Sequence, residues 1–406
     1  MSRTILSVGA GLLLCVGGFF AAPWSMPGLS AQDAPAAEKS TVNEKTPKSP
    51  ASNSESPKTP KTPASPEAAG ATPANAPPKT PPAAEDSPVL VEEFVFTEAP
   101  FAECHASTIV ETSDKTLVAA WFGGTHEKHE DVCIWMSRRE GKRWTPPENV
   151  ANGVQYLCPN GEKVRYPCWN PVLVQPSDGP LMLFYKCGPS PSEWWGILAR
   201  SGNGGKTWSF PHRLPEGVLG PVKNKPVQIE DGTLLCGSST EGDGWRVHFE
   251  LTPDHGRTWT RTKAVNDGKT IAAIQPSILL HPMHRLQAIG RSQQGKMWSC
   301  WSNDGGLTWE PMELLDVPNP NSGTDAVTLR DGRHVLVYNH STTARTPLNV
   351  AISSDGIDWR MVHTLESEPG EYSYPAVIQS ADGKLHITYT WKRERIKHVV
   401  LDVGEL

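Results

Sequence analysis

The chain has 406 residues, 37% of them hydrophobic, which is enough for a large core, and its formal net charge of −6 gives no electrostatic basis for binding nucleic acid. Its 15 Trp suit wide buried packing surfaces or sugar-stacking platforms, and its 35 Gly and 38 Pro imply many turns. In chain order, the first element is an apolar run from Ile5 to Ala22, preceded by Arg3 and followed by small residues at Ser30-Ala31. This predicts a secretory signal over residues 1–31 and an exported protein, whether periplasmic, cell-surface or secreted. The run is glycine-rich and short for a stable span, so no membrane span is expected after cleavage; an uncleaved anchor is the alternative. Cys15, after "LLL", makes a poor lipidation site. Residues 32–87, including "EKTPKSPASNSESPKTPKTPASPEAAG", hold too few apolar residues to offset the entropy of ordering and read as an extended, disordered linker.

The remaining chain would keep seven cysteines, Cys104, Cys133, Cys158, Cys168, Cys187, Cys236 and Cys300. An odd number leaves at least one thiol free or paired between chains, and no C-x-x-C zinc spacing occurs. Cys158 and Cys168 flank the turn-rich "PNGEKVRYP", so this pair is the expected disulfide of an exported protein. No cofactor is expected.

A short motif then recurs: "SRREGKRW", "SGNGGKTW", "TPDHGRTW", "SNDGGLTW" and the shortened "SSDGIDW", ending at Trp144, Trp208, Trp259, Trp309 and Trp359. The spacings are 64, 51, 50 and 50 residues, a period that means a propeller or similar array. Between the repeats lie strand-like segments such as "TLVAAWF", "PLMLFYK", "RLQAIGR", "HVLVYN" and "KLHITYTW", bounded by turns. In each motif the Asp would accept backbone N–H groups of its own turn, Gly would supply positive φ, and Trp would fold back to where one sheet meets the next.

The pattern S-x-D-x-G-x-T-W resembles the Asp-box, or BNR repeat, of the sialidase (neuraminidase) superfamily. Two copies match closely; in the others Glu140 and Asn203 replace the Asp, and the last loop is one residue short. The resemblance implies an all-β fold, a six-bladed β-propeller over residues 88–406, with "VLVEEFVF" at 89–96 closing the last blade. It also implies that the Asp-boxes are structural and lie away from the active face.

Members of that family hold a sugar carboxylate with three arginines, whose planar forks each offer two charge-assisted bonds. By position relative to the neighbouring boxes, Arg291 in "LQAIGRS" and Arg345 in "NHSTTARTPLNVAISSDG" resemble two of them. "EYSYPAVIQ" resembles the family's nucleophile segment, with Tyr372 at the tyrosine and Tyr374, two residues on and expected on the same strand face, as its competitor for the site. Two positions depart from the pattern: His105 in "CHASTIV" stands where the first arginine would be, and Gln275, sixteen residues before Arg291, stands in place of a glutamate. An amide cannot take the tyrosine proton, and Glu241 and Glu250 are the candidates to replace it from a neighbouring blade. The general acid is sought in "GGTHEKHEDVCIW", where Asp131 lies nearest the family's aspartate and Glu127 competes. The same His and carboxylate cluster also has the residue types of a metal site or of a solvated loop. "GPVKNKP", "SSTEGDGWR" and "PNPNSGTDAV" are polar stretches placed where propeller loops line a central funnel. The expected activity is a sialidase-like glycoside hydrolase of the exo-α-sialidase type acting on a terminal acidic sugar, with an acidic glycan or polysaccharide as partner. Two alternatives stay open: a non-catalytic glycan-binding propeller, and an enzyme on uronate-bearing polysaccharide in which His105 is base or acid.

Overall fold

The computed structural model describes residues 87–406. The expected signal over 1–31 and nearly all of the 32–87 linker lie outside the described residues. The chain folds into six antiparallel sheets arranged as blades: blade 1 spans 103–151, blade 2 168–213, blade 3 227–261, blade 4 273–318, blade 5 325–366 and blade 6 372–401. Val89–Phe94 pairs with Arg395–Leu401 and supplies the outer strand of blade 6, so the first strand of the domain closes its last sheet. Among the described residues there are only two short 3-10 turns, and no helix is long and apolar enough to cross a membrane.

Buried clusters follow the blade contacts. One joins blades 1 and 2 through Val118, Met136, Leu183 and Ile197; others join blades 2 and 3, 3 and 4, 4 and 5, 5 and 6, and 6 and 1. Each middle strand is therefore packed on both faces, which is why Leu181–Cys187 and Leu117–Gly124 are buried throughout instead of alternating.

The repeats behave as their residue types require. Asp304 accepts bonds from the backbone N–H of Leu307 (3.1 Å) and Thr308 (2.9 Å), while Ser302 Oγ accepts from Gly306 N at 3.0 Å. Partial burial works to raise the Asp304 carboxyl, but the Thr308 hydroxyl and backbone bonds outweigh it and hold the group below its ordinary value. Gly306, at φ +88°, turns the chain back so that Trp309 donates to its carbonyl at 2.9 Å and stacks on Phe249 of the preceding blade at 3.8 Å. Trp259 and Trp359 make the same N–H bond to Gly256 and Gly356. In the first copy, Arg139 and not Glu140 occupies the Asp position two residues after the serine. Glu93 of the closing strand takes over there, accepting from Arg139 Nε at 3.1 Å and from Trp144 Nε1 at 3.0 Å.

Four of the innermost strands are bulged. Register shifts interrupt them between His105 and Thr108, opposite Phe184–Lys186, between Ile274 and Ser277, and between Ser373 and Ala376. At each shift a non-glycine residue takes a left-handed backbone: Ala106 (φ 58°), Asn170 (39°), Gln275 (58°) and Tyr374 (52°). Three of the four precede a proline, Pro171, Pro276 or Pro375, which has no N–H to give the ladder. Such bulges re-aim side chains, here toward the propeller axis.

The segment Lys223-Asn224-Lys225, just before blade 3, ties together two of these bulges, those at Gln275 and Tyr374. Asn224 Nδ2 donates to Gln275 O at 3.0 Å. The Lys223 ammonium donates to Thr324 O at 2.8 Å and to Pro375 O. Lys225 Nζ lies 2.8 Å from Asp325, whose other bonds come from Ser277 Oγ, Ala326 N and Val377 N. Burial pulls the Lys223 amine down to about 7 despite the Asp325 charge.

The expected Cys158–Cys168 disulfide is absent, and the seven cysteines of the described residues are free thiols. The insertion between them forms a hairpin, Val154–Leu157 with Lys163–Arg165, which puts Cys158 at its tip, while Cys168 opens the inner strand of blade 2 opposite Cys187. The hairpin also accounts for the long first repeat interval.

Two outcomes follow for stability. Trp309→Ala, which removes a half-buried stack between blades, should destabilise the domain by about 2 kcal/mol, below the range for a fully buried Trp, while sugar binding persists; denaturant unfolding and a binding titration check both. Cys158→Ser should leave the melting temperature unchanged with or without reductant, whereas losing a disulfide across that short loop would cost about 2–3 kcal/mol.

Candidate active site

The bulged strands converge on a cavity of about 410 Å³. Three guanidinium groups face it, each from a different blade: Arg291 from the second strand of blade 4, Arg345 from the loop before the third strand of blade 5, and Arg393 from the hairpin between the last two strands of blade 6. Arg291 is 7% exposed. Its Nη1 donates to the Tyr374 hydroxyl at 2.7 Å and lies 3.4 Å from Gln275 Oε1, while its buried Nε has no partner. Arg291 and Arg345 both lie 5.6 Å from the Tyr374 ring centre.

Three like charges in one cavity need compensation, and Glu371 supplies it. Its carboxylate accepts from Arg345 Nη1 at 2.6 Å and from Arg393 Nε at 3.1 Å; Arg393 Nη1 also reaches Glu127 at 2.6 Å. Burial works to raise the Glu371 carboxyl, but the two arginines outweigh it and hold it below its ordinary value. Each of these arginines keeps donors beyond those bonds for an incoming anion.

The cavity is lined by Tyr374 and not by the expected Tyr372. Tyr372 is 1% exposed, packed among Val337, Leu348 and Tyr389 between blades 5 and 6, with no face on the cavity. The expectation that Tyr372 and Tyr374 share a strand face assumed an unbroken two-residue period. The bulge breaks that period at Tyr374 and turns it alone into the funnel.

Asp131 is likewise not at the site. It accepts from Thr125 N at 2.9 Å and Thr125 Oγ1 at 2.6 Å, pairs with His129, and faces a separate cavity beside Phe101 and Trp135. These bonds outweigh partial burial and hold its carboxyl below the ordinary value, an unsuitable state for a proton donor. Glu127 does face the arginine cavity. Among the described residues, no group of three His, Cys, Asp or Glu side chains is placed to hold a metal ion, and Glu127 and Asp131 face different cavities.

Of the two possible replacements for the missing glutamate, Glu250 is occupied: wholly buried, it accepts from Leu219 N and Gly220 N and pairs with His248. Glu241 lines the cavity, and its carboxyl is pushed up by burial and by Glu127, against the pull of Arg291. Gln275 is 2% exposed and reaches the cavity at its own bulge. His105 packs on Tyr374 at 4.2 Å; burial, followed by Arg393, Arg345 and Arg291, holds its imidazole well below the ordinary value, so it is neutral at pH 7. Its Nδ1 is buried without a partner.

Arg393 and Glu371 were not identified from sequence. Arg393 lies in "WKRERIK", a tight turn after the last repeat, and only its left-handed backbone (φ 59°) distinguishes it from an ordinary charged turn. Glu371 immediately precedes Tyr372 in the quoted "EYSYP".

The fold recurs in solved structures. A protein of unknown function from Dyadobacter fermentans is 18% identical, with TM-score 0.64, covering 77% of this chain and 98% of that one. The NanB sialidase of Streptococcus pneumoniae is 12% identical, with TM-score 0.64, covering 79% and 71%. The intramolecular trans-sialidase of Ruminococcus gnavus is 15% identical, with TM-score 0.62, covering 75% and 95%. No curated protein sequence matches the chain. The BNR repeat-like domain family matches residues 115–387, and with a propeller shared with sialidases the chain belongs to this sialidase-like BNR-repeat family.

Proposed function

We propose that the protein is an exported glycoside hydrolase of the exo-α-sialidase type, acting on a terminal acidic sugar of a glycan or polysaccharide. The observation that carries this reading is the convergence of Arg291, Arg345 and Arg393 on one cavity, with the Tyr374 hydroxyl 2.7 Å from Arg291. A guanidinium cluster in a largely desolvated funnel suits a carboxylate, and a phenol beside it is not repelled by that carboxylate as an acidic nucleophile would be. In this reading the arginines seat the sugar acid and the Tyr374 phenol keeps its proton while its oxygen stabilises the positive charge that develops at the anomeric centre. Glu241 gives its proton to the leaving oxygen as the glycosidic bond breaks, and its carboxylate takes a proton back from the water that then bonds to the anomeric carbon. Export rests on the apolar Ile5–Ala22 segment alone.

Gln275 favours a second reading, a glycan-binding propeller without turnover. An amide at the bulge beside Tyr374 keeps the sugar seat and removes a base.

Tyr374→Phe separates the two. In the hydrolase it should lower turnover by at least about 100-fold while binding persists; in the binder it should change little. Tyr372→Phe should leave turnover intact, and the reverse pattern would return the role to Tyr372. Arg345→Ala should abolish acidic-sugar binding, since each charged hydrogen bond contributes about 1.5–3 kcal/mol, and Arg345→Lys should rescue it poorly.

The raised Glu241 carboxyl fixes the sign of a pH test. A proton donor works only while protonated, so activity should fall as pH rises through a value above that of an ordinary carboxylate. Glu241→Gln should abolish that limb, and aryl glycosides with acidic leaving groups should regain rate. An unchanged limb would place the donor elsewhere.

A further inference from the structure

The segment "GPSPSEWW", residues 188–195, forms a partition in the active face. Pro191, Ser192 and Trp194 line the arginine cavity, and the same three residues line a second cleft of about 190 Å³. The partition is firmly seated. Trp169 Nε1 donates to Gly188 O at 2.9 Å, Glu193 N donates to Ser190 O at 3.0 Å, and a side chain at Gly188 (φ +151°) would collide with Trp194. Glu241 lines both compartments, so it stands at the boundary between them.

The second cleft is chemically distinct. Two arginines from different blades face it, Arg213 of blade 2 and Arg261 of blade 3. The Arg213 guanidinium lies 4.7 Å over the Trp195 ring, which braces its plane and leaves its N–H edge free. Arg261 lies over Gly217, which is left-handed at φ +79°. Among the described residues neither arginine has a carboxylate within ion-pair distance, although Glu216 also lines the cleft. Trp194, 9% exposed and common to both compartments, has a buried indole N–H with no acceptor.

We propose that this cleft seats the second sugar of the substrate, on the leaving-group side, and that this sugar carries an anionic substituent, a sulfate ester or a carboxylate. The inference rests on the reading of the arginine cavity as the seat of a terminal acidic sugar. With that sugar in the cavity, the bond to be cut crosses the partition at Glu241, where a donor must meet the leaving oxygen. Beyond it, Arg213 and Arg261 supply unpaired forks for an anion, and Glu216 can accept from sugar hydroxyls. A neutral second sugar would leave both forks without a partner.

The test uses the purified chain and disaccharides ended by α-linked sialic acid or by glucuronic acid. In each series the second sugar is galactose, galactose 6-sulfate or galacturonic acid. Binding by titration calorimetry is measured for the parent, for Arg213→Ala/Arg261→Ala and for Arg345→Ala. The expected result is at least about tenfold tighter binding of an anionic second sugar than of galactose, lost in the double variant and reduced by salt, with galactose-bearing ligands bound equally by both. Preference for the sulfated or the carboxylated member identifies the source of the anion. Equal binding of all three second sugars by the parent, with Arg345→Ala still abolishing them, overturns the second-sugar proposal alone. Failure of the parent to bind either acidic series overturns the arginine-cavity reading and this proposal with it. Both arginines are exposed, so the double variant should fold, and an unchanged melting temperature confirms it; the salt dependence of the parent tests the proposal independently of any variant.

Discussion

The ammonium of Lys223, buried on the propeller axis and bonded to carbonyls of blades 5 and 6, is the contact on which the active face depends. The site is built from left-handed residues in strand bulges, and each such backbone costs about 1–3 kcal/mol unless its surroundings over-determine it. Lys223, Asn224 and Lys225 do that. They reach from blade 3 to the bulge carbonyl of Gln275, to the carbonyl after Tyr374 and to Asp325, so one short segment sets the relative position of blades 3, 4, 5 and 6. The cost shows in the amine itself, which burial pulls down to about 7. A lysine held there has little role in an ordinary core and a clear one if the funnel must keep its side chains in fixed places.

The same logic governs the charges. Arg291, Arg345 and Arg393 would repel one another in a desolvated cavity. Glu371 bonds two of them, Glu127 bonds Arg393, and Arg291 donates its hydrogen bond instead to the Tyr374 hydroxyl. The cluster therefore retains positive character toward a ligand without being left uncompensated. His105 adds to this by staying neutral. A protonated imidazole beside Tyr374 would place a further cation against the arginines, and its depressed pKa reflects that repulsion together with burial.

What was legible in the sequence follows from what repeats. The Trp spacing and the Asp-Gly turns recur because every blade needs the same corner, so a propeller-like array is legible in the spacing, while six blades and the N-terminal closing strand follow from the family resemblance. Arg291 and Arg345 were legible because each keeps a fixed offset from a neighbouring corner. Features that occur once were harder to read. The family resemblance points to Tyr372 before Tyr374 and strand alternation puts both on one face, although Pro375 signals that the ladder is broken there, as Pro276 does at Gln275 and Pro171 at Asn170. Asp131 was chosen by proximity along the chain, but Thr125 and His129 hold it in another cavity. Arg393 has no motif at all. It is a turn residue held at the site by Glu371 at the start of its own blade and by Glu127 of blade 1, the second a contact between residues far apart in sequence.

The claim that joins these observations is that the arginine cavity recognises a carboxylate. It is tested most directly by titrating the purified chain with methyl glycosides of sialic acid and glucuronic acid, each as the free acid and as its methyl ester, which keeps the shape and removes the charge. The account predicts that one of the free acids binds and that its ester binds at least about 100-fold more weakly, as expected for losing two or more charge-assisted hydrogen bonds. Equal affinity of acid and ester would contradict it.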